Sequence, residues 1–357
     1  MAASDPDTDQ GHRRPGWLTV ARIAHLAGVS APTVSKVLNG RAGVASETRR
    51  RVEQVIQDHG YRRREYTEPG TPIVEVIFQR LDSPWVLEII RGVSQVVQPR
   101  GLTVAVSEMR GQLTPDEAWT QDVLARRPTG VVAVSAKLTG QQIAQLASRA
   151  IPLVILDPSG EPTHATPSVG ATNWSGGLAA ARHLLELGHQ RIGIVNGPAE
   201  LLCCRARLDG CRTAMDTAGI ALDPSLVRTG PLHVEGGFAE ATALLTLPEP
   251  PTAILATNDL QALGVYKAAR SLDLRVPQDL SVVGFDDLPL AQWVGPPLTT
   301  VRQPLMKMGA TAADLLLSLA DGHRPEDDRI ELATSLIVRD STTQPPARHP
   351  ATRTRRR

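Results

Sequence analysis

From residue 73 to near residue 342, short aliphatic segments alternate with helical patterns. Strands buried on both faces are runs of Val, Ile and Leu, which is typical of parallel sheets covered by helices. The predicted strands are residues 73–79, 102–108, 130–135, 153–156, 192–196, 253–256 and 282–285. The predicted helices between them include residues 85–98, 140–149, 176–187, 206–218 and 260–272.

This alternation is too long for one small sheet, and it restarts near Arg191. We therefore expect an α/β fold with two doubly wound parallel lobes and a cleft between them. In such sheets, ligands bind beyond the carboxyl ends of the strands. Because only eleven of the 357 residues are aromatic, the core of both lobes must be aliphatic.

The N-terminal part has a different pattern, with three short helices predicted at residues 20–27, 31–38 and 46–59. Ser30 and Ser46 are expected to be N-caps, and Gly28 lies in the turn between the first two helices. Two short amphipathic helices joined by a tight turn are typical of a helix-turn-helix. The second helix of that motif enters the major groove of DNA.

Charge is divided unevenly along the chain, although the formal net charge is only +1. Residues 12–66 contain eleven Lys and Arg against four Asp and Glu. Residues 67–342 contain 22 against 30, and residues 343–357 contain five Arg and no acidic residue. A basic segment joined to a larger acidic body indicates that the segment binds nucleic acid. The alternative is a solvated helix face without a partner.

Several classes of protein are excluded by the sequence. It contains no run of eighteen apolar residues, and its polar start lacks the apolar stretch of a signal peptide. Cys203, Cys204 and Cys211 fit neither a disulfide framework nor a Cys-x-x-Cys metal pair. We therefore expect a soluble cytoplasmic protein without a metal or other cofactor.

The sequence also lacks the local motifs of the common α/β enzymes. It has no Gly-x-Ser-x-Gly elbow, no Gly-x-x-x-x-Gly-Lys phosphate loop and no His-Glu-x-x-His helix. We therefore expect no catalytic activity. A sugar-binding transport component is a further alternative, against which the helix-turn-helix pattern and the polar start both argue.

The stretch LTVARIAHLAGVSAPTVSKVLN at residues 18–39, with Val44 and His59-Gly60-Tyr61, resembles the headpiece of the LacI/GalR family of transcriptional repressors. The body resembles periplasmic sugar-binding proteins and the ligand-binding core of the same family. The segments that carry this second resemblance are residues 170–173, 187–189, 205–210, 257–259, 283–287 and 297–304. Five parts are expected: a disordered leader (1–16), the headpiece (17–61), a hinge or linker (62–72), a two-lobed effector-binding and dimerisation domain (73–342) and a disordered basic tail (343–357).

For the headpiece, the resemblance implies that the second helix presents Ala31, Pro32 and Lys36 to base edges. Pro32 has no side-chain donor, so we expect it to make apolar contact, such as with a thymine methyl group, whereas Lys36 suits a guanine. Phosphate contacts are expected from polar side chains, whose alternative role is capping or a turn bond. These candidates are Thr19, Ser30, Thr33, Ser35 and Asn39.

The segment after the third helix departs from the family pattern. In the family, a hinge helix forms there on DNA and inserts a leucine into the minor groove. Here residues 62–72 contain two prolines and a glycine but no leucine, so a stable hinge helix is not expected. Arg62, Arg63 and Arg64 are candidates for a minor-groove arm, and a flexible linker is the alternative.

For the body, the resemblance implies that Asp157, Arg207, Asn258 and Asp286 form hydrogen bonds with a small effector. The same cleft is expected to include Ser83, Trp85, Trp174 and Gln303. A tryptophan at a strand-to-helix edge suits stacking on the C–H face of a sugar, with simple packing as the alternative. Trp293 is a further tryptophan at such an edge, and Asp259 and Asp287 are either effector contacts or helix N-caps.

Together these observations predict a repressor that binds a pseudo-palindromic operator as a homodimer. A small effector in the cleft, a sugar by this prediction, would change operator affinity through reciprocal linkage. The alternatives are a purine-responsive, co-repressed regulator and a cytoplasmic sugar-binding protein without a regulatory role.

Overall fold

The computed structural model of the protein describes residues 20–38, 44–58, 71–158, 166–323 and 327–346. The chain divides into two compact units between residues 68 and 69. The predicted leader, the hinge arginines Arg62–Arg64 and the last eleven residues of the predicted tail lie outside the described residues.

The first unit contains three helices, α1 (Val20–Ala27), α2 (Ala31–Leu38) and α3 (Ser46–Asp58). Its core is small and aliphatic, formed by Ile23, Ala24, Ala27, Val34, Val37 and Val52. Gly28 has a φ of +63° in the turn between α1 and α2, a conformation that glycine adopts without strain. The prediction that Ser46 is an N-cap was wrong, because α3 begins at Ser46 and the Ala45 carbonyl accepts the Arg49 N–H.

In the second unit, the chain first builds one lobe. Its elements in order are β1 (Thr71–Phe78), α4 (Pro84–Val97), β2 (Thr103–Glu108), α5 (Glu117–Arg126), β3 (Pro128–Val134), α6 (Gly140–Ser148), β4 (Leu153–Leu156) and β5 (Ser168–Ala171). β1 begins within the predicted linker. Its pairing with β3 is irregular between Thr71 and Val74, which accommodates a proline inside the sheet.

The chain then builds the second lobe. Its elements are α7 (Asn173–Glu186), β6 (Ile192–Asn196), α8 (Leu202–Thr217), β7 (Val227–Thr229), α9 (Val234–Leu245), β8 (Ala253–Ala256), α10 (Asp259–Ser271), β9 (Ser281–Asp286) and β10 (Thr299–Arg302). The change of lobe therefore falls before α7, about twenty residues earlier than the predicted restart near Arg191. α7 packs against α8 in the second lobe.

Three further elements complete both lobes: α11 (Leu305–Ala320), β11 (Arg329–Leu332) and β12 (Ser335–Ile337). α11 and β11 return to the first lobe, where α11 packs on α4. The first sheet has the order β11-β5-β4-β3-β1-β2 and the second has the order β12-β10-β9-β8-β6-β7. All neighbours pair in parallel except β10 and β12. The predicted α/β class with two doubly wound lobes is confirmed.

The chain crosses between the lobes three times, after β5, after β10 and after β11. The first and third crossings lie side by side. Thr172 and Thr334 hold them together, since their hydroxyl oxygens are 3.0 Å apart and the Thr334 N–H donates to Thr172 Oγ1 at 2.9 Å. These crossings bring residues of both lobes to the carboxyl ends of the two sheets.

Candidate ligand-binding and nucleic-acid-binding sites

A buried charged cluster lies at the carboxyl ends of the second-lobe strands, with Arg207 of α8 at its centre. Arg207 Nε donates to Asn173 Oδ1 at 2.8 Å, and its Nη1 donates to the Thr257 carbonyl at 2.6 Å. The guanidinium also stacks on Phe285, with Cζ 3.8 Å from the ring centroid. These contacts fix the position of the guanidinium inside the protein.

Asp286, the last residue of β9, lies beside this guanidinium, with Oδ1 3.7 Å from Arg207 Nη1. Burial raises the pKa of Asp286 to about 7, and the attraction of Arg207 only partly opposes this rise. Gln303, in the crossing after β10, donates from Nε2 to Asp286 Oδ1 at 2.6 Å. The cluster therefore reaches one of the crossings between the lobes.

Asp157 belongs to the first lobe and lies close enough to Arg207 for their charges to interact. It follows β4, and its Oδ2 accepts a hydrogen bond from Ser135, which follows β3, at 3.3 Å. Burial raises the pKa of Asp157, and the nearby positive charge of Arg207 opposes that rise. Ser135 and Asp157 have φ values of 48° and 49°, and Asp286 has 119°. Such left-handed backbone in residues other than glycine costs on the order of 1–3 kcal/mol each and is concentrated at functional sites.

Two buried amide oxygens near these groups have no hydrogen-bond partner among the described residues. They are Gln303 Oε1 and Asn196 Oδ1, the latter at the end of β6. Buried acceptors of this kind are normally paired, so a ligand with hydrogen-bond donors would satisfy them. Asn196, Asn173 and Ser135 were not among the predicted site residues. Asn196 ends β6, Ser135 directly follows β3, and Asn173 begins α7 one residue after β5.

Close packing of α7 on α8 fixes the position of the Arg207 backbone. A Cβ atom on Gly177 would lie 2.1 Å from the Arg207 carbonyl oxygen. A Cβ atom on Gly210 would lie 2.1 Å from the Trp174 carbonyl oxygen. Both glycines therefore allow a backbone approach that any side chain would prevent.

The side chains of three predicted effector contacts are bonded to other groups of the protein. Asn258 is the N-cap of α10, accepting from the Gln261 N–H at 2.8 Å and donating to the Leu232 carbonyl at 3.0 Å. Asp259 accepts from Thr300 and from the Leu288 N–H. Asp287 forms ion pairs with Arg302 and Arg339, so neither aspartate is an N-cap.

The aromatic candidates differ in their surroundings. Ser83 is the N-cap of α4, and Trp85 packs against a core cluster that also contains Leu288 of the second lobe. Trp174 is 44% exposed beside a cavity that Asp157 also lines, whereas Trp293 is 81% exposed and does not line that cavity. The structure therefore brings Trp174, but not Trp293, to the neighbourhood of Asp157.

In the first unit, Ala31, Pro32 and Lys36 are exposed on α2. Ser30 Oγ caps α2 by accepting from the Thr33 N–H at 3.3 Å, and it also lies 2.8 Å from Thr33 Oγ1. Thr19 and Asn39 lie outside the described residues, as does the side chain of Ser35.

The described residues include no helix that is both long and apolar enough to cross a bilayer. Within the same ranges, no three or more His, Cys, Asp or Glu side chains form a group suited to a metal ion. Cys203, Cys204 and Cys211 are all buried and free.

Comparison with known proteins divides the chain in the same way. Residues 19–64 match the family described as bacterial regulatory proteins, lacI family. Residues 181–342 match the periplasmic binding protein-like domain.

Similar proteins cover nearly the whole chain. The transcriptional repressor CytR of Escherichia coli is 31% identical over 328 residues, which span 91% of this chain and 96% of CytR. The transcriptional regulator MalR of Streptomyces coelicolor is 35% identical over 338 residues, 92% of this chain and 97% of MalR.

Two solved structures extend the similarity to the fold. A complex of the transcriptional regulator CelR with cellobiose has a TM-score of 0.70 and 31% identity, covering 92% of this chain and all of that one. The lac repressor dimer bound to operator and the anti-inducer ONPF has a TM-score of 0.67 and 30% identity, with the same coverage. The chain therefore belongs to the lacI family of bacterial regulatory proteins, transcriptional regulators that bind operator DNA and respond to small effectors.

Proposed function

We propose that this regulator represses transcription and that a sugar bound at the cluster of Asp157, Arg207, Asp286 and Gln303 controls its operator affinity. The observation that carries the proposal is the continuous contact from Arg207 through Asp286 to Gln303. Because Gln303 lies in a crossing between the lobes, a ligand that changes this contact also changes the crossing.

The chemistry of the cluster favours a polyhydroxylated ligand. Carboxylates of Asp157 and Asp286 accept hydrogen bonds, the Arg207 guanidinium donates them, and Gln303 Oε1 is a buried acceptor without a partner in the described chain. A sugar hydroxyl both donates and accepts, so vicinal hydroxyls can satisfy all three kinds of group. The similar regulator CelR has been solved with a sugar, cellobiose.

Regulation follows from linkage between the ligand and DNA. A ligand that binds one arrangement of the lobes more tightly shifts the population of molecules toward that arrangement. If DNA prefers another arrangement, the ligand lowers the affinity for DNA by the same factor by which DNA lowers the affinity for the ligand. Thr172 and Thr334 join the other two crossings, so all three connections have defined hydrogen bonds.

For operator binding, we propose that α2 enters the major groove with Ala31, Pro32 and Lys36 at base edges. Ser30, whose hydroxyl caps α2, and Thr33, whose hydroxyl contacts that of Ser30, lie at the N-terminus of α2 and are the proposed phosphate contacts there. Thr19, Ser35 and Asn39 remain proposed phosphate contacts because they are polar residues in or beside the helix-turn-helix. Arg62–Arg64 remain a proposed minor-groove arm because of their charge, since this segment departs from the family pattern.

We further propose a homodimer formed through the body, which places two heads on a pseudo-palindromic operator. The lac repressor structure, which is similar to this chain, is a dimer bound to operator. The proposed place of action is the cytoplasm, and no catalytic step is assigned. Sedimentation of the full chain with operator DNA tests this proposal, and a monomer at micromolar concentration would contradict it.

The effector proposal is tested with the full chain and an operator selected from random duplexes. Thermal shifts and operator affinity are measured with monosaccharides, disaccharides, purine bases and nucleosides. A sugar is expected to raise the melting temperature and to change operator affinity. Purines alone having this effect would overturn the sugar proposal.

A variant pair then tests the site. Arg207→Lys keeps the charge but removes the planar fork, and we expect the sugar response to be lost. Arg212→Lys is the matched control, because Arg212 lies on the same helix in an exposed ion pair with Asp209. An unchanged response in Arg207→Lys would show that the effector binds elsewhere.

A further inference from the structure

A cavity of about 310 Å³ lies beside the cluster of Asp157, Arg207, Asp286 and Gln303 and shares only Asp157 with it. Asp157 and Asn173 form its inner wall, and Trp174 and Arg329 are among its outer lining residues. Neither Asp286 nor Gln303 is among the lining residues, so the cavity extends the site away from the second-lobe strands. Its volume is at the lower end of the range for small-molecule sites.

The floor of this cavity is one face of the first-sheet edge. β11 pairs with β5 in a register that sets Arg329 beside Ser168 and Glu331 beside Gly170. These four residues all line the cavity. A Cβ atom on Gly170 would meet only Pro158 Cδ, at 4.0 Å, so the strand leaves room above it.

The residues that line the cavity also include an aromatic ring, that of Trp174. Trp174 is the second residue of α7 and remains 44% exposed, although it is one of the largest apolar side chains in the protein. Indole rings offer a flat apolar face, and the C–H face of a pyranose stacks on such a ring.

Hydrogen-bond donors and acceptors line the same cavity as the ring. Arg329 and Glu331 form an ion pair at 2.8 Å and are about half exposed, so each has capacity for a ligand hydroxyl. In addition, the N-cap residue Thr172 makes no side-chain cap to α7, because its hydroxyl is engaged with Thr334. The first-turn N–H groups of α7 are therefore without a side-chain cap beside the cavity.

We propose that this cavity is a subsite for a second sugar ring, so that the effector is a disaccharide or a longer oligosaccharide. The first ring binds the cluster of Asp157, Arg207 and Asp286, and the second stacks on Trp174 with its hydroxyls toward Arg329 and Glu331. Asp157 lines both regions and joins them. This inference rests on the proposed sugar-binding function and specifies its ligand.

The test measures binding by calorimetry with the full-length protein. The probes are glucose and xylose, their β-1,4-linked disaccharides, maltose and adenosine. At least one disaccharide is expected to bind about tenfold or more tightly than its own monosaccharide. Trp174→Ala is expected to remove most of this difference while changing monosaccharide affinity less than twofold.

Trp293→Ala is the matched control, since it removes an exposed tryptophan outside the cavity. It should leave the affinities for both sugars unchanged. A second variant, Arg329→Gln, should weaken only the disaccharide, and circular dichroism checks that all three variants are folded.

The possible failures are distinguishable. If monosaccharide and disaccharide bind equally, or if Trp174→Ala behaves like Trp293→Ala, the subsite is wrong but the sugar-binding proposal stands. If no sugar binds, both proposals are wrong. Adenosine binding that depends on Trp174, without sugar binding, would assign the cavity to a nucleobase and also overturn both.

Discussion

Arg207 Nη1 lies 3.7 Å from Asp286 Oδ1, and the two side chains are only 4% and 5% exposed. Removing one partner of a buried ion pair leaves the other charge without compensation. We therefore expect Asp286→Ala to lower the free energy of unfolding by about 3 kcal/mol, measured by urea denaturation. The control Asp209→Ala removes the exposed partner of Arg212 and should cost less than about 1 kcal/mol. Equal losses would show that the buried pair has no special role.

Gly177→Ala tests whether the contact between α7 and α8 positions the binding site. The added methyl group would lie 2.1 Å from the Arg207 carbonyl, so α7 and α8 must move apart. Overpacking of this kind costs about 1–3 kcal/mol, and the displacement of Arg207 should also abolish the effector response. Gly140→Ala is the control, because its Cβ atom would meet nothing within 4 Å. Effector binding is measured by calorimetry, and normal affinity of Gly177→Ala for the effector would contradict the prediction.

Lys36→Gln tests the proposed base contact. We expect the variant to lose about 1–3 kcal/mol of operator binding and to discriminate less at one base pair. Arg51→Gln removes the same charge from an exposed position on α3 and should weaken binding to operator and to random DNA equally. Fluorescence anisotropy over a series of salt concentrations separates these effects. If both variants weakened binding to operator and to random DNA equally, Lys36 would not contact a base.

The stability of the body should depend on His189. Its Nε2 lies 2.9 Å from the Thr343 carbonyl, which can only accept, so Nε2 carries the proton and Nδ1 accepts from Thr252. Burial lowers the pKa of His189 below its ordinary value. The unfolded chain therefore binds the extra proton first, and stability is lost as the pH falls through about 6.5.

His189→Gln should reduce this loss, so the difference in melting temperature between the protein and the variant should narrow from pH 8 to pH 5.5. His323→Gln, at an exposed position, is the control. If the difference in melting temperature stayed constant from pH 8 to pH 5.5, His189 would not be the cause of the loss of stability in acid. Burial also lowers the pKa of His183, which bonds Thr342, so a smaller acid loss should persist in the variant.

Local patterns predicted the helices of the first unit well, because each has its own apolar face. α1 and α2 have the predicted bounds. In the body, β4, β6 and β8 also match the prediction, since each is a buried aliphatic run between clear breaks. The two-lobed arrangement followed from this alternation.

The elements that sequence reasoning missed depend on distant partners. β11 and β12 are short and half exposed, and they become strands by pairing with β5 and β10. β5, β7 and β10 are short like β4 and β8, but unlike them they contain no continuous aliphatic run. Three helices, α5, α9 and α11, were also not predicted. The predicted tail begins with residues 343–346, yet Thr343 is bonded to His189 and Ser281.

Site residues show the same limit. Strand ends indicated Asp157 and Asp286, but the type of residue alone could not tell a ligand contact from a cap at Asn258. Only the structure shows that both polar ends of the Asn258 side chain are engaged. The packing of Trp85 likewise depends on a core cluster of the first lobe to which Leu288 of the second lobe also belongs.

The three crossings have a consequence for synthesis on the ribosome. The first lobe obtains α11 and β11 only after every strand of the second lobe except β12 has been made. A nascent chain that ends before Leu305 therefore has a first sheet without the helix that supplies Met308 and Leu316 to its core. The second lobe at that stage lacks only the edge strand β12, so the first lobe is the one whose core is completed last, and a chain that ends between the lobes contains no complete first lobe.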